Sequence, residues 1–310
     1  MSIRLLELNK IDNSTDPFTD TIIIGDSWQA AKHLPPDYVQ SIISSPPYFG
    51  HRKYAGEQEN LQVLEFGRES EPSEYISKLV SLFSELRHVL KDNGTLWLNL
   101  GDTYRNNQLL GIPWRVALAL QDTGWILRSE IVWHKPNAMP SSVKNRPTID
   151  HETMFLFAKT PQYYYDADAI REPHVTFSEE SKMRGGRNHL GKRNGTPELG
   201  KNKGNNNLHN GRWDQAFHPL GRNKRTVWTI PLGKFREAHF AVFPPKLVET
   251  CVLAGTSEND LILDPFMGSG TTAVVAKQLN RHFIGIELVP EYGAMSVKRV
   301  RNLTNQMSLF

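Results

Sequence analysis

Hydrophobic and polar positions fall along the chain in blocks that read alternately as strand, turn and helix. Thr21 to Gly25 is a short β-branched run closing in Gly25-Asp26-Ser27, and Trp28 to Leu34 then takes helical spacing until Pro35 and Pro36 stop it. Val39 to Ser44 reads as a buried strand. It runs directly into Ser45-Pro46-Pro47-Tyr48, where two prolines remove backbone donors and fix an extended, rigid turn. From Ser73 to Leu90 the apolar residues Ile76, Leu79, Val80, Phe83, Leu86, Val89 and Leu90 predict a helix with one buried face, broken at Asp92-Asn93-Gly94. Thr95 to Leu100 then predicts a strand, Ile112 to Thr123 a helix closed by Gly124, and Trp125 to Trp133 and Met154 to Ala158 two further strands.

Between Arg171 and Lys224 the periodicity disappears into Gly, Asn, Lys and Arg, as in Lys201-Asn202-Lys203-Gly204-Asn205-Asn206-Asn207, and no core can form from that stretch alone. Alternation returns with a helix over Pro244 to Leu253, a strand over Leu261 to Leu263, a helix over Thr271 to Leu279 and a strand over Phe283 to Ile286. Strands alternating with helices on both sides of the irregular stretch predict an α/β fold, one doubly wound, parallel or mixed sheet covered on both faces.

Charge sharpens this division. The net charge is only +3, yet Arg171 to Phe235 carries 13 Lys and Arg against 5 Asp and Glu, while the remainder carries 23 against 28. A basic insert in an acidic body fits contact with a polyanion, and charge alone leaves a solvated loop equally open. Composition is ordinary for a globular chain, at 39% hydrophobic and 22% charged residues. No apolar run is long enough to span a bilayer, and Met1 to Lys10 lacks a secretory cleavage site, so a cytoplasmic location is expected. The single cysteine, Cys251, excludes an internal disulfide, and no metal-ligand spacing is present.

Two strand ends carry candidate chemistry. Leu261-Ile262-Leu263-Asp264 leads into the glycine turn Pro265-Phe266-Met267-Gly268-Ser269-Gly270 and a helix opening at Thr271, an arrangement suited to a nucleoside cofactor. A triphosphate loop would need a lysine that Gly268-Ser269-Gly270-Thr271-Thr272 lacks. Phe283-Ile284-Gly285-Ile286-Glu287 places a carboxylate at the next strand end, where ribose hydroxyls are held in dinucleotide folds.

Together with Ser45-Pro46-Pro47-Tyr48, these runs resemble the S-adenosylmethionine-dependent amino-methyltransferases of DNA, which carry Asp, Asn or Ser before Pro-Pro-Tyr or Pro-Pro-Phe and a Phe-x-Gly-x-Gly-like cofactor loop. Gly25-Asp26-Ser27, Asn99-Leu100-Gly101-Asp102, Trp133 to Pro140 and Ala238 to Leu247 join the resemblance, which covers nearly the whole chain outside the insert. The catalytic run precedes the cofactor run, as in the beta group of that family. The resemblance therefore implies a Rossmann-like methyltransferase fold, with a catalytic half at 1–170, a target-recognition insert at 171–235 and a cofactor half at 236–310. It assigns Asp26 to the adenine end of the cofactor, Asp264 and Phe266 to its methionine and central portion, Gly268, Ser269, Gly270 and Thr271 to the loop around it, and Glu287 to its ribose. Phe240 and Phe243 flank the same pocket or belong to the core, and His134 contacts DNA or is structural. In the insert, Arg184, Arg187, Lys192, Arg193, Lys201, Lys203, Arg212, Arg222, Lys224 and Arg225 are the expected contacts to double-stranded DNA.

An aromatic amine has its lone pair delocalised into the ring, so a site that methylates it must draw density back onto nitrogen and align it with the donor. The Ser45 hydroxyl and Pro46 carbonyl are the expected acceptors for the amino hydrogens, and Tyr48 is expected to stack on a base that has left the duplex. Methylation at cytosine C5 would need a nucleophilic cysteine, and Cys251 lies in an apolar helical stretch far from the catalytic run. Serine before Pro-Pro-Tyr resembles the N4-cytosine enzymes, whereas adenine enzymes usually have Asp there. N4-cytosine is therefore expected, in a monomer or weak dimer that works beside a cognate restriction endonuclease. Adenine N6, an RNA or protein amide, and a non-catalytic nucleic-acid binder are the alternatives.

Overall fold

The computed structural model of the chain describes residues 3–11, 18–50, 56, 58–173, 218, 220–233 and 243–307. Contacts divide the chain into two compact units, residues 1–165 with 226–310, and residues 166–225. In the larger unit the strands are β1 (Arg4–Glu7), β2 (Thr21–Ile24), β3 (Val39–Ser44), β4 (Leu90–Leu100), β5 (Tyr104–Arg105), β6 (Gln108–Leu109), β7 (Ile126–His134), β8 (His151–Ala158), β9 (Val227–Thr229), β10 (Leu261–Asp264) and β11 (His282–Glu287). The helices are α1 (Ser27–Ala31), α2 (Glu59–Gln62), α3 (Pro72–Val89), α4 (Ile112–Asp122), α5 (Pro245–Gly255), α6 (Thr271–Gln278) and α7 (Pro290–Met307).

Among the described residues nine strands form one sheet in the order β1-β2-β11-β10-β3-β4-β8-β7-β9, and β5 and β6 make a separate hairpin. Neighbours from β1 to β4 are all parallel; β8 runs antiparallel to both β4 and β7, and β9 is parallel to β7. The sheet is thus mixed, mostly parallel and covered on both faces, as the alternation of the elements predicts.

Strand period explains the two-faced burial. In β4, Leu96, Leu98 and Leu100 join Leu79, Leu82, Phe83 and Leu86 of α3 and Val116, Ala117 and Leu120 of α4 in one core. The intervening Thr95 and Trp97 face α5, where a Cβ on Gly255 would lie 2.9 Å from each. Each fully buried Leu or Phe contributes roughly 1.5–3 kcal/mol, so α3 alone anchors much of that layer.

Several elements differ from the sequence expectation. Asp92-Asn93-Gly94 does not end a segment before Thr95: β4 starts at Leu90, and the extra residues bulge out because Val39 pairs with Leu90 while Ser41 already pairs with Thr95. The helix expected to reach Leu34 ends at Ala31, with turn hydrogen bonds from His33 and Leu34 closing it ahead of Pro35. Edge strands β1 and β9 and helix α7 carry too short or too polar an apolar pattern to stand out, and neighbours in the sheet or layer specify them.

The connection from β3 turns one way, through α3 to adjacent β4, and the connection from β10 turns the other way, through α6 to adjacent β11. Between β3 and β10 the direction of winding therefore reverses, and a crevice opens at their carboxyl ends. Both chemical runs of the sequence emerge at that point.

In the smaller unit, Glu172 and Arg222 form an isolated antiparallel bridge, with N–H to carbonyl bonds of 2.9 and 2.8 Å. Glu172 also pairs with Arg222 at 3.2 Å and Lys224 at 3.3 Å. Segments distant in sequence are fastened together there.

Candidate active site

A cavity of about 370 Å³ occupies the crevice, within the size range of small-molecule sites. Its wall includes Ser45, Pro46, Pro47 and Tyr48 from the turn after β3, and Asp264, Phe266, Gly268, Ser269 and Thr271 from the turn after β10. Asp26, at the amino end of α1, and Glu287, at the end of β11, also line it, as do Asn99, Lys135 and Glu152. Residues more than two hundred positions apart meet here, as when Ser44 Oγ donates to Asp264 Oδ1 at 2.7 Å.

The turn after β10 is held by its own residues together with Ser44, Ser296 and Arg299. Asp264 is buried, and its oxygens accept from Phe266 N–H at 3.0 Å and Thr272 Oγ1 at 2.6 Å besides Ser44. Burial pushes the Asp264 carboxyl upward, against the lowering effect of those donors. Ser296 Oγ donates to the Gly268 carbonyl at 2.7 Å, and Arg299 Nη1 donates to the Ser269 carbonyl at 2.6 Å. Gly270 is not on the cavity wall. It supplies a left-handed turn, φ 83°, where a Cβ would stand 2.7 Å from the side chain of Ser296, so only glycine fits.

Glu287 accepts Gly268 N–H on Oε2 and Val289 N–H on Oε1, both at 2.8 Å. Leu288 N–H is a third backbone donor to this carboxylate, so of its four acceptor positions one remains. Burial raises the Glu287 pKa to about 7 despite these backbone donors. Asp26 Oδ1 caps α1 by accepting Gln29 N–H at 2.9 Å, which leaves Oδ2 as an acceptor.

The opposite corner is built from side chains of four segments. Tyr48 Oη donates to Glu152 Oε2 at 2.6 Å; Asn99 Nδ2 donates to Tyr48 Oη at 2.6 Å and to Glu152 Oε2 at 2.8 Å. Ser45 Oγ lies 3.1 Å from Tyr48 Oη and 3.4 Å from Asn99 Nδ2. Lys135 Nζ forms a short ion pair with Glu152 Oε1 and stands 4.7 Å from the Trp133 ring centre. Burial, then the charge of Glu152, drives the Tyr48 phenol well above its ordinary range. The Tyr48 ring also lies against Gly101, where a Cβ would come within 2.5 Å of it.

Sequence reasoning missed part of this corner. Asn99 and Lys135 lie inside the family-like runs without a role of their own in the sequence, and Glu152 lies outside those runs. The only signal at Glu152 is a charge at the start of an apolar strand, and that signal has no meaning until β8 is known to run antiparallel. Phe243 is on the cavity wall. His134 sits 3.2 Å from Thr229 Oγ1 and 3.7 Å from Asp150. Cys251 is buried in α5 and is absent from the wall. Phe240 and the insert residues Arg184, Arg187, Lys192, Arg193, Lys201, Lys203 and Arg212 lie outside the described residues; Arg222, Lys224 and Arg225 lie inside them.

Known proteins share this organisation. The model of the N6/N4-Mtase family, described as DNA methylase, matches residues 39–298, from β3 into α7. The chain belongs to this DNA methylase family. Among curated relatives, it is 38% identical over 310 residues to type II methyltransferase M.Cfr9I of Citrobacter freundii, covering 91% of this chain and 87% of that one. Against M.SmaI of Serratia marcescens the identity is 35%, with 90% of each chain covered. The fold is also that of the PvuII DNA methyltransferase, named as cytosine-N4-specific, with a TM-score of 0.62 at 22% identity over 92% of this chain and 91% of that one. In this DNA methylase the Ser45-Pro46-Pro47-Tyr48 turn and the turn from Asp264 to Thr271 line one cavity.

Proposed function

We propose that this DNA methylase transfers a methyl group from S-adenosylmethionine to the exocyclic N4 of cytosine in duplex DNA. The observation that carries the reading is the single cavity onto which Ser45-Pro46-Pro47-Tyr48 and the Asp264 to Thr271 turn both open. Relatives named as type II methyltransferases support a role in a restriction-modification system, with an endonuclease of the same specificity as partner.

The residues present fit the cofactor. Glu287, a carboxylate on the cavity wall with an acceptor position left, suits a ribose hydroxyl, Asp26 Oδ2 suits an adenine amino group, and Phe266, Met267 and Val289 give the wall apolar surface. Asp264, with its oxygens engaged, and Gly270, in its left-handed conformation, hold the shape of the turn, and Gly268, Ser269 and Thr271 bring it close to the ligand. When bound, S-adenosylmethionine supplies an electrophilic methyl group.

Ser45 Oγ and the Pro46 carbonyl accept the hydrogens of the target amine, which concentrates density on nitrogen and orients its lone pair. The amine is paired inside a duplex, so the base leaves the stack to reach Ser45, and the exposed part of Tyr48 receives it. Transfer is direct, because Cys251 is buried away from the cavity wall and is no nucleophile for the ring. The basic residues of 171–235, with Arg222, Lys224 and Arg225 at its carboxyl end, hold phosphates and read base edges. The choice of cytosine rests on Ser45, a neutral residue before Pro-Pro-Tyr.

Purified protein incubated with duplex DNA and labelled S-adenosylmethionine, followed by nucleoside digestion and mass analysis, should yield N4-methylcytosine. N6-methyladenine would overturn the base, and label found in RNA or protein alone would overturn the substrate class.

A further inference from the structure

Glu152 enters the crevice by topology alone. Its strand is the antiparallel one, so the amino end of β8, where Glu152 stands, lies beside the carboxyl ends of β4 and β7: Leu100 pairs with Thr153, and Trp133 pairs with Glu152. Four polar side chains converge there, and their protons can be counted.

The Glu152 carboxylate can only accept. At 2.6 Å its neighbour Tyr48 must therefore spend its one hydroxyl hydrogen on Glu152. Asn99 Nδ2 can only donate, and it fills one of the two lone-pair positions on Tyr48 Oη. The remaining position faces Ser45 Oγ at 3.1 Å, so Ser45 is the donor of that pair. With its only hydrogen turned toward Tyr48, Ser45 keeps two acceptor positions, and the distant Asn99 amide at 3.4 Å takes at most one. The other is left for a hydrogen of the substrate amine.

We infer that Glu152 is the positioning residue that sets the direction of this hydrogen-bond chain, so that Ser45 presents a lone pair rather than a proton to the target amine. Lys135, paired with the other oxygen of Glu152, balances its charge in the part-buried corner. Without the carboxylate, the Tyr48 hydroxyl is free to turn and donate to Ser45, which leaves the acceptor engaged and the amine unheld. The inference rests on the amino-methyl-transfer reading above. It adds a residue that touches Tyr48 and Asn99 rather than substrate.

The test is a double-mutant cycle with Glu152→Gln and Tyr48→Phe, measured as single-turnover methyl transfer to duplex DNA, with cofactor binding followed separately by calorimetry. Glutamine has the same shape but offers an N–H to Tyr48, which reverses the chain. Glu152→Gln should lower the transfer rate roughly 10- to 100-fold, the scale of losing a hydrogen bond to a charged group, with the cofactor Kd unchanged. Tyr48→Phe should lower it as well, since it cuts the link while leaving Glu152 with Lys135 and Asn99. Added to Tyr48→Phe, the Glu152→Gln change should then cost little more. Additive losses in the double variant, or a wild-type rate in either single variant, would overturn the inference. Should Glu152→Gln fail to fold, the Tyr48→Phe rate decides alone. Failure of the wild-type protein to methylate a DNA amine is a different result, and it would sink the functional reading instead.

Discussion

The two walls of the cavity differ in how far along the chain their contacts reach. Along the cofactor wall much of the order is local, since Asp264 binds Phe266 N–H and Thr272 and Glu287 binds Val289 N–H, all within eight residues of the acceptor, and Ser44 and Arg299 add ties from farther along the chain. Along the acceptor wall the contacts that bring Glu152 to the site are long-range, with Tyr48, Asn99 and Glu152 separated by 51 to 104 residues, and only Ser45 and Tyr48 are close in sequence. A locally satisfied turn is set by short sequence and tolerates change elsewhere. A corner made of four segments depends on strand register, and it concentrates polar groups whose directions are coupled.

The largest test of this contrast is Ser45→Ala, which removes an acceptor from the transferring amine and touches nothing on the cofactor wall. Methyl transfer should fall roughly 100-fold, the scale of deleting one preorganised group, while the cofactor Kd measured by calorimetry stays put. Equal losses in rate and cofactor affinity would mean that the walls are not separable.

Gly270→Ala attacks the other wall through its backbone. A side chain there meets Ser296 in a left-handed turn, and the strain should cost about 1–3 kcal/mol in urea unfolding together with weaker cofactor binding. Stability equal to wild type would show that the turn relaxes.

Glu287→Gln probes charge rather than shape. Because burial raises the Glu287 pKa from 4.5 to about 7, the folded state holds its proton more tightly than the unfolded chain does. Stability of the ligand-free protein should therefore decline as pH rises from about 4.5 through 7, and Glu287→Gln should flatten that decline in thermal melts. Cofactor affinity should run the opposite way, weakening as pH drops below about 7 and the ribose acceptor becomes protonated. In Glu287→Gln it should be roughly tenfold weaker and no longer follow pH. A pH-independent affinity in the wild-type protein would remove Glu287 from the ribose.

The smallest expected effect is at Cys251, buried in α5 beside Met154 and belonging to neither wall. Cys251→Ala should leave the transfer rate unchanged and lower stability by about 1 kcal/mol, from one lost buried group. Loss of activity in a folded Cys251→Ala protein would reopen carbon methylation.

This contrast also explains what was legible before folding. Asp264, Phe266, the glycines and Glu287 announce themselves because a strand end, a left-handed turn and a helix start are written in consecutive residues. Helix α3 was legible for a similar reason, since its apolar face repeats within one segment. Glu152 was not. Neither a period nor a neighbour marks it, and its strand could equally have been laid down with its other end at the crevice.

Local sequence is enough to set two rigid turns, Ser-Pro-Pro-Tyr and the glycine turn between Asp264 and Thr271, each the outcome of local backbone restrictions. It also determined the two-faced burial of the sheet through the spacing of apolar residues. The tertiary structure decided that β3 and β10 lie side by side where the winding reverses, and that β8 runs backward between β4 and β7. Both choices are made by packing across the whole sheet, which no short stretch of residues encodes, and between them they bring Ser45, Asp264 and Glu152 to a single crevice.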